Sequence, residues 1–325
     1  MTKPKKLEIV FEGDCDRFNQ GETLRGKVVL DLDQTISVKG IRVTCKGKAE
    51  VTIFVGDYDT QKESYFSNEI YVFGTSRKEE GDPQDMAPGH YEYPFSFDLP
   101  FGLPESFVAS GDEHACVVYK VEVSIQRPGK FSFTEERTFH IRSVLDLNIL
   151  PDAIQEAVSN NEKTLSCLCM KNGTISAVFR VERKGYVPGE LMPLYGFITN
   201  SSKSRVKRSE VTLIQYVTLK VQGSTKRKRN NICKCRRGPI APGQTDQWQG
   251  ETLEIPDIPP SYLTGCGLID IQYVVQLSVV PAGLASRLHV PLDVIIGTVP
   301  LRSEAQLLQH MEARPSLIYD FGSFV

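Results

Sequence analysis

The sequence predicts an all-β protein of two tandem immunoglobulin-type β-sandwich domains with a short linker and a short C-terminal tail. Three observations carry the prediction. Apolar residues recur with period two in short segments, no long segment has helical spacing, and one set of turn-and-strand segments occurs twice in the same order. At 325 residues the chain can hold two domains that each bury a core, whereas a single sandwich of that size is unusual. A composition of 40% hydrophobic and 24% charged residues, with net charge -2, excludes whole-chain disorder, collagen-like repeats and a polytopic membrane protein. The expected boundaries are 1–148 for the first domain, 149–162 for the linker, 163–301 for the second domain and 302–325 for the tail.

The basic start, Met1 to Lys6, gives way at once to the alternation Leu7-Glu8-Ile9-Val10-Phe11, so neither a secretory leader nor a membrane span is expected. Eight cysteines without a secretion signal are expected as free thiols in the cytoplasm. Alternation then recurs over residues 27–32, 41–45, 49–54 and 91–99, each run bounded by Gly, Pro, Asn or Asp, which is the pattern of antiparallel strands with one buried face. It stops between 144 and 163, where Asn148, Pro151, Asp152, Ser159, Asn160 and Asn161 accumulate. Residues 151–158 and 303–311 carry apolar positions at helical spacing after a start signal and are expected as short helices.

The repeat is the sharpest signal. Phe18-Asn19-Gln20-Gly21-Glu22 corresponds to Tyr186-Val187-Pro188-Gly189-Glu190, 168 residues on, and the same offset carries Val38-Lys39 onto Val206-Lys207 and Val43-Thr44 onto Val211-Thr212. Ala87-Pro88-Gly89 and the segment around Tyr119 recur at Ala241-Pro242-Gly243 and Tyr273, now 154 residues on, so one net deletion separates the two blocks. Two copies of one domain explain this order. In both, a glycine free to take positive φ turns the chain and a solvated acid follows it into a strand.

The segments Gly185-Tyr186-Val187-Pro188-Gly189-Glu190, Trp248-Gln249-Gly250, Cys266-Gly267-Leu268-Ile269-Asp270, and Ile295-Ile296-Gly297-Thr298-Val299-Pro300-Leu301 resemble the arrestin domain-containing proteins of the α-arrestin type. In the first half, Pro88-Gly89-His90-Tyr91 and Leu103-Pro104-Glu105-Ser106-Phe107 add to the resemblance, which runs from about Leu7 to Leu301. It implies two cupped, arrestin-like sandwiches and a non-catalytic adaptor. The expected role is selecting membrane cargo for endocytic or endosomal trafficking, in the cytoplasm with plasma-membrane or endosomal association. The implied partners are cytoplasmic tails of membrane receptors or transporters, other arrestins, and a WW-domain ubiquitin ligase bound through Pro-Pro-x-Tyr. That motif does not occur after Leu301; its formal match is Pro259, Pro260 and Tyr262, between strand-like segments, where an inter-strand turn is expected. Three residues before the Trp-Gly turn, where the thioredoxin-binding member has cysteine, this chain has Thr245, so thioredoxin binding is not expected. A retromer-type coat subunit and a ligand-binding β-sandwich enzyme stand as the alternative readings.

Between residues 203 and 237 lie Lys203, Arg205, Lys207, Arg208, Lys220, Lys226, Arg227, Lys228, Arg229, Lys234, Arg236 and Arg237, against one acid, Glu210. The stretch carries +11 and the rest of the chain -13. All of these cations but Lys220 form a candidate patch for an anionic membrane surface or acidic cargo. A solvated hairpin tip that discourages edge pairing is the structural alternative. Nuclear import and nucleic-acid binding are further motif readings of 226–229, though no nucleic-acid partner is expected. In the tail, Leu317, Ile318, Tyr319 and Phe321 are candidates for an added edge strand, with a frayed end as the other reading.

Catalytic motifs are absent from the sequence, and the five histidines show no metal-ligand spacing. Cys167-Leu168-Cys169 and Cys233-Lys234-Cys235 place paired sulfurs on one strand face but lack the spacing of zinc turns, so free thiols, no metal and no cofactor are expected.

Overall fold

The computed structural model of the chain describes residues 4–54, 56–75, 82–109, 114–167, 170–283 and 285–302. The strands of the first half are β1 (Lys6–Phe11), β2 (Arg17–Asn19), β3 (Thr23–Leu32), β4 (Ile36–Val38), β5 (Gly40–Phe54), β6 (Tyr58–Gly74), β7 (Gln84–Met86), β8 (Gly89–Asp98), β9 (Phe107–Val108), β10 (His114–Gln126) and β11 (Phe133–Arg142). Those of the second half are β12 (Ala157–Cys167), β13 (Met170–Val181), β14 (Gly185–Tyr186), β15 (Leu191–Pro193), β16 (Tyr195–Asn200), β17 (Val206–Val221), β18 (Ser224–Arg237), β19 (Thr245–Trp248), β20 (Thr252–Glu254), β21 (Ile269–Pro281) and β22 (Leu288–Ile296). By Cα proximity the chain forms two compact units. One is Met1–Ser143 with Gln215–Asn230 and Ser261–Gln272; the other is Val144–Ile214 with Asn231–Pro260 and Tyr273–Val325.

In the first half a sheet of order β1-β3-β8 and a sheet of order β2-β11-β10-β5-β6 make the sandwich. Alternation explains the core. In β10, Val117, Tyr119, Val121, Val123 and Ile125 are buried while Lys120 and Glu122 point outward between them. Each such apolar side chain contributes about 1.5–3 kcal/mol on leaving water. Edge-on ring contacts, Phe11 with Phe139 at 6.2 Å and Phe18 with Phe139 at 5.7 Å, fill the middle. In the second half the orders are β12-β13-β16-β19 and β14-β22-β21-β17-β18. The all-β tandem sandwich expected from alternation is therefore the fold.

The repeat is written into the hydrogen bonds. Gly21 and Gly189 sit at φ 77° and 87°. After each, the glutamate folds back: Glu22 Oε2 accepts from Asn19 N at 2.8 Å, and Glu190 Oε2 accepts from Val187 N at 3.0 Å. The residues just before pair in parallel with the last strand of each sandwich, Phe18 with Ile141 and Tyr186 with Ile296. Further on, the Tyr119 hydroxyl donates to Pro104 O at 2.7 Å, and the Tyr273 hydroxyl to Pro259 O at 2.7 Å. Tyr119→Phe and Tyr273→Phe should each cost about 1–2 kcal/mol in urea denaturation, because each orphans a carbonyl acceptor. A change near zero in both would show that water replaces the hydroxyls.

Two sequence expectations are corrected here. Residues 151–158 are not a helix. The i to i+3 bonds Ala153 N to Leu150 O and Gln155 N to Asp152 O close turns, and β12 begins at Ala157. Val158 pairs with Arg180 in the ladder, and Ala153 lies so close under Gly185 that a Cβ there would stand 2.8 Å from the Ala153 methyl. Distant partners thus override local spacing. Residues 157–162 of the segment expected as linker accordingly form the first part of β12, paired with 176–181. A 3-10 turn not foreseen, Leu147–Ile149, is capped by Asp146, whose carboxylate accepts from Asn148 N. The second expected helix, 303–311, and the tail candidates Leu317, Ile318, Tyr319 and Phe321 lie outside the described residues.

Candidate functional site

The basic stretch folds as the hairpin of β17 and β18. Gln222 and Gly223 join the strands, both at positive φ (27° and 80°), the geometry that matches strand twist in a two-residue loop. No residue of β18 is fully buried, and β18 ends its sheet order, so its charges sit on a solvated edge. The division between units falls after Asn230, so the candidate cations form two groups.

In the first unit, Lys226, Arg227 and Arg229 are exposed and Lys228 is half-buried. Arg227 lies 3.9 Å over the Tyr216 ring and donates to Gln272 Oε1 at 3.3 Å. Asn230 Nδ2 donates to Gln215 Oε1 at 3.1 Å and anchors the base of this group.

In the second unit the arrangement centres on Glu210. Arg208 Nε and Arg236 Nε approach its Oε2 at 3.2 and 3.1 Å, and Arg287 Nη1 approaches Oε1 at 3.4 Å. Burial pushes the Glu210 carboxyl up, but the adjoining guanidiniums of Arg208 and Arg236 outweigh it and hold the group below the usual glutamate value. The lone acid of the stretch is thus shared among three arginines, one of which, Arg287, the sequence reading did not include. Strand alternation puts Arg208 and Glu210 on one face, but nothing local points from there to a residue 77 positions on.

Arg237 is committed elsewhere. Its guanidinium pairs with Asp246 Oδ1 and Glu251 Oε1, each at 2.9 Å, donates to Gln247 O, and lies 5.7 Å over Trp248. Its work is structural, holding β18 to β19. Lys203, Arg205, Lys207 and Lys234 are exposed.

The formal WW-ligand segment is folded as a turn. Pro260 and Ser261 are buried, Pro259 O accepts the Tyr273 hydroxyl, and Tyr262 and Leu263 take φ 77° and 38°. Tyr262 N donates to Ile271 O at 2.7 Å. A left-handed tyrosine is incompatible with the polyproline II form that WW domains bind. Cys233 and Cys235 are half-buried, and the Cys233 thiol donates to Glu254 O at 3.5 Å. Among the described residues no cluster of His, Cys, Asp or Glu is placed to hold a metal, and no helix is long and apolar enough to cross a membrane.

Comparison with known proteins adds a second line. Residues 7–148 match the N-terminal domain of arrestin (or S-antigen), and residues 171–301 match its C-terminal domain. The chain is 30% identical over 308 residues to mouse arrestin domain-containing protein 4, covering 91% of this chain and 72% of that protein. The human arrestin domain-containing protein 4 gives 30% over 309 residues with the same coverage. Human thioredoxin-interacting protein is 26% identical over 300 residues, covering 91% of this chain and 75% of the relative.

Proposed function

The chain belongs to the arrestin family, as an α-arrestin, and from that premise we propose that it is a non-catalytic adaptor whose basic stretch holds acidic cytoplasmic tails of membrane receptors or transporters for endocytic or endosomal trafficking. Family membership supports an arrestin-type adaptor role. The observation that carries the finer reading is the charge imbalance of the β17–β18 hairpin. Its single acid is already shared among three arginines, while Lys207, Arg229 and Lys234 of the hairpin, and Lys203 and Arg205 just before it, are exposed. An excess of cations on a solvated edge attracts anionic segments through long-range steering and charge-assisted hydrogen bonds. In this reading Pro259 to Tyr262 does not recruit a WW-domain ubiquitin ligase, because its turn geometry opposes WW binding.

The test is affinity capture from cells with wild type and with Lys226, Arg227, Lys228 and Arg229 all changed to Ser. Wild type should recover membrane receptors or transporters with acidic tails. The variant should recover at least about tenfold less, since charge contacts of about 1 kcal/mol each pass that factor once two are lost. Recovery of no membrane cargo by wild type, or equal recovery by a folded variant, overturns the reading.

A further inference from the structure

The charges around Glu210 do not balance. Three guanidiniums meet one carboxylate, leaving two positive charges in excess. Arg208 and Arg236 each reach it through Nε, and both use the same oxygen, Oε2; Arg287 reaches the other through Nη1. A guanidinium has five N–H donors in a planar fork built for two-point contact with a carboxylate. Here each arginine makes one-point contact, so every fork keeps donors that Glu210 does not use. The burial is graded: Glu210 is only 10% exposed, whereas the side chains of Arg208, Arg236 and Arg287 are 36%, 51% and 50% exposed. The carboxylate is therefore covered, while the three guanidiniums around it stay partly open to solvent. Lys234, exposed and two residues from Arg236 on the same face of β18, adds charge of the same sign.

A structural ion pair between strands needs one arginine for one acid, and crowding three like charges costs energy that a second anion would recover. We propose that Arg208, Arg236 and Arg287 form the carboxylate-binding centre for an acidic peptide, and that Glu210 is a built-in competitor that sets its affinity. This rests on the reading of the basic stretch as a contact for acidic tails, and deepens it. The chemistry of the centre selects the partner. The group already held there is a carboxylate, Glu210, and a glutamate or aspartate side chain on an extended peptide presents the same planar acceptor to the half-exposed guanidiniums. Glu210 occupies the position a bound carboxylate would share, which keeps the centre from holding every passing anion tightly.

The experiment measures anisotropy of a fluorescein-labelled hexaglutamate peptide with the full chain at low ionic strength. Arg287→Gln should weaken binding about tenfold, the loss of a charge-assisted hydrogen bond. Glu210→Gln keeps the shape and an acceptor oxygen for the arginines, and should tighten binding about tenfold. Glu156→Gln changes net charge equally at a distant ion pair with Arg180 and should leave binding within a factor of about two, as screening predicts. Equal effects of Glu210→Gln and Glu156→Gln, or no effect of Arg287→Gln, overturn the centre while leaving the acidic-cargo reading intact. Binding to phosphatidylserine vesicles that depends on Arg287, with none to hexaglutamate, overturns it in favour of a membrane. Hexaglutamate binding as expected, together with cellular capture of no membrane cargo, would instead retain the centre and remove the trafficking role.

Discussion

Trp248→Ala should destabilise the protein by about 3–5 kcal/mol, the range for removing a buried aromatic from a packed core. Trp248 is the chain's one tryptophan and is almost completely buried. It ends β19 opposite Gly196 of β16, in the ladder of the first of the two sheets. Its Nε1 donates to the buried Ser209 Oγ of β17 at 3.1 Å, so the indole joins the two sheets of the second sandwich through packing and a hydrogen bond at once. Truncation empties that space and strands the serine hydroxyl. Trp248→Phe, which restores most of the volume without the donor, should recover roughly half the loss. Urea denaturation followed by far-ultraviolet circular dichroism measures both. A loss below about 1 kcal/mol for the alanine variant would mean that the sheets close over the gap.

That same residue shows how the sequence conceals part of its meaning. Trp248-Gln249-Gly250 reads locally as a turn after a strand, and the positive φ of Gly250, 96°, agrees. The tryptophan's role comes from Ser209, far away in the chain. The strands themselves were legible because period-two burial is a local property, as β10 demonstrates. The duplicated turns at Glu22 and Glu190 were legible for the same reason, since glycine and glutamate act within four residues. Residues 151–158 misled because helical spacing is also local, while Arg180 and Gly185, which decide their conformation, lie more than twenty residues on. The candidate site divides in the same way. The density of cations was visible in the composition of 203–237. That Arg237 is spent on Asp246 and Glu251, and that Arg287 comes to Glu210, depends on sheet order, which composition does not encode.

Leu147→Ala is expected to cost about 2–5 kcal/mol, although it lies in the irregular segment between β11 and β12. Leu147 is fully buried in a small cluster with Ala153 and Ile295, against which Leu145, Leu150, Val187 and Leu301 pack. Leu147 and its neighbours are tied to residues that follow β22: Thr298 N donates to Leu145 O at 2.9 Å, Leu147 N to Val299 O at 3.3 Å, and the Asn148 side-chain Nδ2 to Pro300 O at 2.9 Å. Gly297 completes the fit. A Cβ at that position would stand 2.6 Å from Leu147 Cγ and 2.9 Å from Leu145 O, closer than side-chain carbons approach one another or a carbonyl. The segment is therefore a packed part of the second unit and not a free tether, and its order depends on one leucine seated against a glycine. Removing the leucine should also expose 144–156 to limited proteolysis, because the hydrogen bonds to 298–300 have little else to hold them out of water. Gly297→Val, which overfills the same space, should produce the same cleavage from the opposite side of the contact. If both variants resist protease as wild type does, the bonds to 298–300 hold the segment without the leucine, and the cluster around Leu147 is not what orders it.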